Sequence, residues 1–181
     1  MLDFTQNYFE LFGLPSDFRL DLDELSLRYR DLQKVVHPDK FASASEHEQR
    51  VAMQSATLVN EAYAVLKDPL KRAQYLLSLK GRNAEGENLT TTDAAFLMQQ
   101  MQLREALDET READDPLEAL DKLLDTIKAA INEQIAKLTI LLETSSQQDL
   151  DAAMESIFKM QFLKKLYSEA EALEAELEDM I

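Results

Sequence analysis

The sequence has no cysteine in its 181 residues. That excludes a disulfide framework, a thiolate nucleophile, and thiolate ligation of zinc or an iron–sulfur cluster by the chain itself. Glycine and proline are scarce, at three and four, an economy that suits long helices with few turns. No run of apolar residues approaches the length that crosses a bilayer, and no basic segment followed by an apolar stretch opens the chain. A soluble, cytoplasmic protein with no membrane partner is therefore expected. Phosphate-cradling glycine loops and nucleophile-bearing motifs are missing as well.

What is plentiful is acid. Thirty-five Asp and Glu oppose nineteen Lys and Arg, for a net charge of −16. Residues 1–80 are close to balance, with ten basic against twelve acidic side chains, whereas residues 81–181 carry nine against twenty-three. So acidic a second half repels phosphate backbones, and nucleic acid is not an expected partner. Most of these carboxylates read as a solvated surface.

Caps and periodicity place the helices. A short apolar helix runs from Tyr8 to Phe12 and is stopped by Gly13 and Pro15. Asp21 with Glu24 forms a capping box, after which Leu22, Leu25, Tyr29, Leu32 and Val36 recur as one buried stripe. Ser26, Arg30 and Lys34 share another face, with Arg28 nearby, making a basic patch that is either solvated surface or a dock for an acidic partner. Ser45 with Glu48 opens the next helix, which passes through Val51, Leu58, Ala62, Val65 and Leu66 to Asp68. There Asp68 caps and Pro69 begins a shorter helix that carries Lys71, Arg72, Tyr75, Leu76 and Leu79 and ends at Gly81.

Residues 82–92 (RNAEGENLTTT) alone have linker composition. The expected organisation is a domain over 1–80, a linker over 81–92 and a second domain over 93–181. In the latter, one helix runs from Asp93 to about Glu112 behind a Thr92 cap, with Phe96, Leu103 and Leu107 as its core stripe. Another starts at Asp115-Pro116 with Glu118 closing the box and reaches about Leu142, its seam being Leu117, Leu120, Leu124, Ile127, Ile131, Leu138 and Leu141. Thr144-Ser145-Ser146 turns the chain into a last helix from Gln147, with Leu166, Ala170, Leu173, Leu177 and Met180 in its seam. Short connections between long helices imply antiparallel neighbours, hence a three-helix bundle and an all-α protein.

Between the first two long helices stands His37-Pro38-Asp39, followed by Lys40-Phe41. A residue before proline leaves the helical region, so the helix stops near Val36 and the tripeptide caps a tight turn, imidazole and carboxylate facing solvent. One imidazole beside one carboxylate on an open turn lacks the further ligands or the dry pocket that metal binding or catalysis needs. His47 is the only other histidine, and no enzyme or cofactor site is expected.

This layout resembles the J domain, and Asn60-Glu61-Ala62-Tyr63, Val65-Leu66, Asp68-Pro69 and Lys71-Arg72-Ala73 with Tyr75 are similar to that family's closing signature. The resemblance implies docking on an ATP-dependent seventy-kilodalton heat-shock chaperone and stimulation of its ATPase. His37, Pro38 and Asp39 would be the stimulating loop, with Arg28, Arg30, Lys34 and Lys40 as the docking face. J proteins mostly continue into glycine-rich or zinc-binding regions, and this one does not. Phe4 to Pro15, Leu25 to Tyr29, His37 to Ala42, Arg72 to Leu77 and Ala95 to Met98 resemble the HscB family of iron–sulfur co-chaperones, in its bacterial form. That implies an HscA-type chaperone and an IscU-type cluster scaffold as partners.

The second domain can be read for a binding face directly. Leu97, Met98 and Met101 form an apolar group that one seam does not need, and Gln102, Glu105 and Glu109 continue it. Periodicity alone divides evenly between a partner site and packing against another helix or the J domain. The resemblance favours scaffold binding there, with Phe162 added from the last helix, although Phe162 at a seam edge also suits core packing. Gln102 stands where the family resemblance implies glutamate. Two rivals remain: a J protein for another client, and a helical protein whose seams associate with themselves.

Overall fold

The computed structural model describes residues 3–84, 91, 93–144 and 146–179, and every regular element among them is helical. The chain divides into two compact units, Met1–Arg82 and Asn83–Ile181. Of the stretch 81–92, residues 85–90 and 92 lie outside the described residues, as do Ser145 and Met180.

The first unit opens with α1, Tyr8–Leu11. Four residues cannot hold a helix by propensity, and the ends do the work. Asn7 accepts from the N–H groups of Phe9 and Glu10, and the Glu10 carboxylate accepts from the Asn7 N–H in return. Gly13, at φ 63°, turns the chain out of the helix. Helix α2, Leu22–Val36, is capped by Asp21, but Glu24 does not close the box. Its carboxylate pairs instead with Arg28 at 3.1 Å. Leu25 and Val36 are buried, whereas Leu22, expected in the same stripe, is exposed in the first turn of the helix.

Helix α3, Glu46–Lys67, keeps both halves of the Ser45–Glu48 capping box and buries Ala52, Ser55, Val59, Ala62 and Leu66. Helix α4, Pro69–Leu79, starts under the Asp68 cap and stops before Gly81, at φ 75°. Aromatic pairs close this unit. Tyr8 and Tyr75 stack at 4.4 Å, and the Tyr8 N–H donates to the Tyr75 hydroxyl. Tyr29 and Tyr63 stack at 4.1 Å between α2 and α3. Arg72 is buried, donates to the Leu66 carbonyl at 2.6 Å and lies 5.0 Å over the Phe18 ring. It thus satisfies one of the carbonyls that the end of α3 leaves open. Burial pushes its pKa below the ordinary guanidinium value, against the opposing charge of Asp68.

The second unit consists of α5, Ala94–Glu109, then a 3-10 turn over Thr110–Glu112, then α6, Pro116–Leu141, and α7, Gln147–Glu178. Asp93, not Thr92, caps α5, accepting from the N–H groups of Ala95 and Phe96. The helix ends three residues earlier than expected, where buried Thr110 returns its hydroxyl to the Ala106 carbonyl. Asp115 caps α6, while Glu118 pairs with Lys122 at 2.7 Å instead of closing a box. The core joins Phe96, Leu103 and Leu107 to Leu120, Leu123, Leu124 and Ile127 of α6 and Leu163, Leu166, Ala170 and Leu173 of α7. Each such leucine contributes about 1.5–3 kcal/mol. Leu117, Ile131 and Leu141 are only half-buried, and Gln134 occupies a buried seam position. Ion pairs join α5 and its following turn to α7, Arg104 with Glu169 and Arg111 with Glu176, in rising order along both segments. Helix α5 therefore runs parallel to α7, with α6 antiparallel between them in sequence.

Candidate functional site

Two exposed groupings stand out, one in each unit. In the first, α2 and α3 form an antiparallel hairpin held by paired side chains. The Tyr29 hydroxyl donates to Asn60 Oδ1 at 3.0 Å, and the Gln33 amide meets the same oxygen. The connection is longer than a tight turn. His37 ends α2 in extended conformation, Pro38–Phe41 forms a 3-10 helix, and α3 begins only after Ser45.

Within it each residue has a backbone task. Pro38 occupies the first helical position with its φ already set. His37 Nδ1 accepts from the Asp39 N–H at 3.3 Å, which places the proton of a neutral ring on Nε2. Its Nδ1 lies 3.6 Å from Asp39 Oδ2, yet the Asp39 side chain is 89% exposed. A carboxylate so held, on a stiff connection and facing water, is available to a cation on a partner.

Arg30, Lys34, His37 and Lys40 line one shallow depression with Tyr29 and Gln33. Lys34 also meets Asp31 at 3.0 Å, and Arg30 Nε donates to the Ser26 carbonyl. Arg28, expected beside them, does not join them. Two residues along a helix is a rotation of about 200°, and Arg28 lies on the flank with Gly13 and Asp31, paired to Glu24. Tyr29 and Gln33 went unselected from the sequence because Tyr29 sits on the buried stripe. Their spacing of four, beside Arg30 and Lys34, is the signal that would have found them.

In the second unit, Phe96, Leu103 and Leu107 of α5 are buried while Leu97, Met98 and Met101 are 42%, 57% and 68% exposed. Gln102, Glu105 and Glu109 are exposed too. At 3.6 residues per turn these six positions fall within an arc of about 140°, centred opposite the core stripe. The apolar group is therefore surface. Phe162 differs: it is half-buried against the bundle core, its ring edge-on to Phe96 at 6.0 Å, which is the core-packing alternative for that residue.

The start of α5 is clamped. Lys159 Nζ meets Asp93 Oδ2 at 2.6 Å and Glu155 Oε1 at 3.1 Å, and lies 5.4 Å over the Phe96 ring. The hydrogen bond from Lys159 holds the Asp93 carboxyl below its ordinary range, helped by the Phe96 and Ala95 N–H groups. Partial burial works against the Lys159 charge, but its bonds to Asp93 and Glu155 prevail and raise its pKa. Among the described residues no cluster of His, Cys, Asp and Glu is arranged to hold a metal ion, and no helix is long and apolar enough to cross a membrane.

Residues 7–75 match the family model of the DnaJ domain, and residues 92–179 that of the HSCB C-terminal oligomerisation domain. A co-chaperone protein HscB homolog of Shewanella amazonensis is 44% identical over 173 residues, covering 96% of this chain and 99% of the relative. The structure of chaperone HscB from Vibrio cholerae superposes with a TM-score of 0.83 at 44% identity, over 95% of this chain and 99% of that one. Human co-chaperone protein HscB gives 0.85 at 32% identity, over 94% and 83%.

Proposed function

The chain belongs to the HscB family of co-chaperones, and from that premise we propose that it activates an HscA-type ATPase and delivers an IscU-type scaffold to it for cluster transfer. Residues 1–80 serve the chaperone, 93–181 serve the scaffold, and 81–92 link them. The work is done in the cytoplasm without catalysis by the chain itself. The observation that carries the reading is the pairing of two open surfaces: Asp39 exposed on its stiff connection, and an apolar arc on α5 turned away from the core.

On the chaperone side, Arg30, Lys34 and Lys40 attract an acidic surface and set the encounter rate and its salt sensitivity more than the final affinity. Asp39 then pairs with a cation of the chaperone and favours one of its states, and only that differential contact stimulates hydrolysis. His37 and Pro38 hold the carboxylate in place. On the scaffold side, Leu97, Met98 and Met101 supply adaptable apolar contact, Glu105 and Glu109 supply charge, and Gln102 supplies hydrogen bonds where a carboxylate would have added charge. Phe162, edge-on to Phe96, supports α5 from the core side.

Steady-state ATPase measurements with Asp39→Asn test the chaperone half. The variant keeps its fold and its scaffold affinity and gives no stimulation; normal stimulation by it would sink the mechanism. The description of the matched C-terminal family favours a second reading, self-association of the bundle. Sedimentation in which mass rises with concentration, without any ATPase stimulation, would select that reading instead.

A further inference from the structure

Met98 and Met101 of α5 are 57% and 68% exposed, and Met53 of α3 is 62% exposed, while Met160 is sealed in the bundle at 0%. The chain has no thiol, so among the described residues these exposed thioethers are the softest groups most open to solvent. We infer that Met98 and Met101 form a paired oxidation site at which peroxide switches off the apolar face of α5. In each step the thioether sulfur attacks one oxygen of hydrogen peroxide and the O–O bond breaks. Sulfur gains that oxygen as the sulfoxide, losing two electrons, and the other oxygen leaves as water with both protons.

The consequence follows from where the two residues sit. Leu97, Met98 and Met101 are the apolar members of the arc, and oxidation leaves only Leu97 unchanged. Each sulfoxide is a strong dipole with an acceptor oxygen. Glu105 and Glu109, exposed on the same arc, are carboxylates with no hydrogen to offer it, which leaves the amide of Gln102 as the donor there. Covered by a partner, a sulfoxide oxygen that Gln102 does not serve is desolvated without return. The fold is unaffected, because Phe96, Leu103 and Leu107 carry the packing of α5 from the opposite side. A methionine sulfoxide reductase reverses the change, so the face can cycle between two states.

The chemical part of this inference stands on exposure alone, while its effect on binding rests on the scaffold reading proposed above. The test treats the full-length protein with millimolar hydrogen peroxide. Peptide mass spectrometry follows each methionine, and titration calorimetry follows binding of the IscU-type scaffold. Met53, Met98 and Met101 are expected to oxidise well ahead of Met160, with scaffold affinity falling about 10- to 100-fold and returning after reductase treatment. Met53→Leu retains this sensitivity. Met98→Leu with Met101→Leu, compared with its own untreated sample, loses it. Sulfoxide forming at Met160 as fast as at Met98 and Met101, or affinity unchanged with both sulfoxides in place, overturns the proposal. Untreated protein that fails to bind the scaffold overturns the scaffold reading instead, and the order of oxidation still decides whether the site exists.

Discussion

The two units expose their working groups in opposite ways. In the first, these groups sit on a connection between helices, where every residue also has a backbone role: proline sets φ, the imidazole accepts the Asp39 N–H, and the helix ends leave the carboxylate in water. In the second they lie on the outer arc of an ordinary helix whose inner arc is aliphatic core. The cores differ to match. Both bury apolar side chains, but the first adds to Phe9, Leu25, Leu66 and Leu77 a border of stacked, half-buried tyrosines and a buried arginine, whose polar tips need partners; the second is mostly leucine and isoleucine around Phe96, with its charges bridging helices at the surface. Directional contacts at the border fix a connection where one carboxylate must be held. Non-directional packing is enough where the working surface is simply the side it does not use.

The largest effect that tests this contrast is on stability. Arg72→Ala leaves the Leu66 carbonyl unpaired and removes the cation over Phe18, and should cost the first unit about 2–4 kcal/mol. Arg104→Ala, which removes a partly exposed pair in the bundle, should cost about 1 kcal/mol or less. Urea unfolding can follow the first unit by tyrosine fluorescence, because the chain has no tryptophan and four of its five tyrosines, Tyr8, Tyr29, Tyr63 and Tyr75, lie there. Equal losses for the two variants would erase the distinction between the cores.

Next comes the apolar arc. Leu97→Ala with Met101→Ala should weaken scaffold binding about 10- to 100-fold and leave helix content and scaffold-independent ATPase stimulation as they were. Unchanged affinity in titration calorimetry would remove the arc as the site.

The smallest effect concerns pH. Asp93 is held below its ordinary pKa of 3.8 by Lys159, 66 residues away, whereas the lowered Glu48 of the first unit answers to Ser45, three residues away. With the folded pKa depressed, the Asp93 contribution is fully present above the ordinary value and is lost as pH falls through the depressed one. Lys159 has the opposite sign: its contribution is lost as pH rises through its raised pKa. Melting temperatures of wild type and Asp93→Asn should therefore differ at neutral pH and converge in acid. Curves separated by a constant gap would show that the clamp is not tertiary.

How legible these features were follows from the same contrast. Caps read well, because Asp21, Ser45, Asp68 and Asp115 act through sequence-local hydrogen bonds. Their reciprocal arms read less well, since Glu24 and Glu118 had Arg28 and Lys122 one turn away as rival partners. The His37-Pro38-Asp39 connection was visible because its chemistry lies within three residues. Its framework was not: Arg72 stood only as one residue of the closing helix, and nothing local says that Phe18 and the end of α3 converge on it. On α5 the inner and outer arcs were readable from helical period alone, but whether the outer one met another helix depended on tertiary structure. Gln134 shows the limit of hydrophobicity as a guide, a polar side chain in a seam position that composition would assign to the surface.

The most direct test of the two-surface account is the ATPase rate of an HscA-type chaperone, measured with this protein as IscU-type scaffold is added. Wild type should stimulate alone and further with scaffold. Leu97→Ala with Met101→Ala should keep the first increment and lose the second, and Asp39→Asn should lose both. If the arc variant loses both increments, or the Asp39 variant keeps either, the two surfaces do not divide the work and the account is wrong.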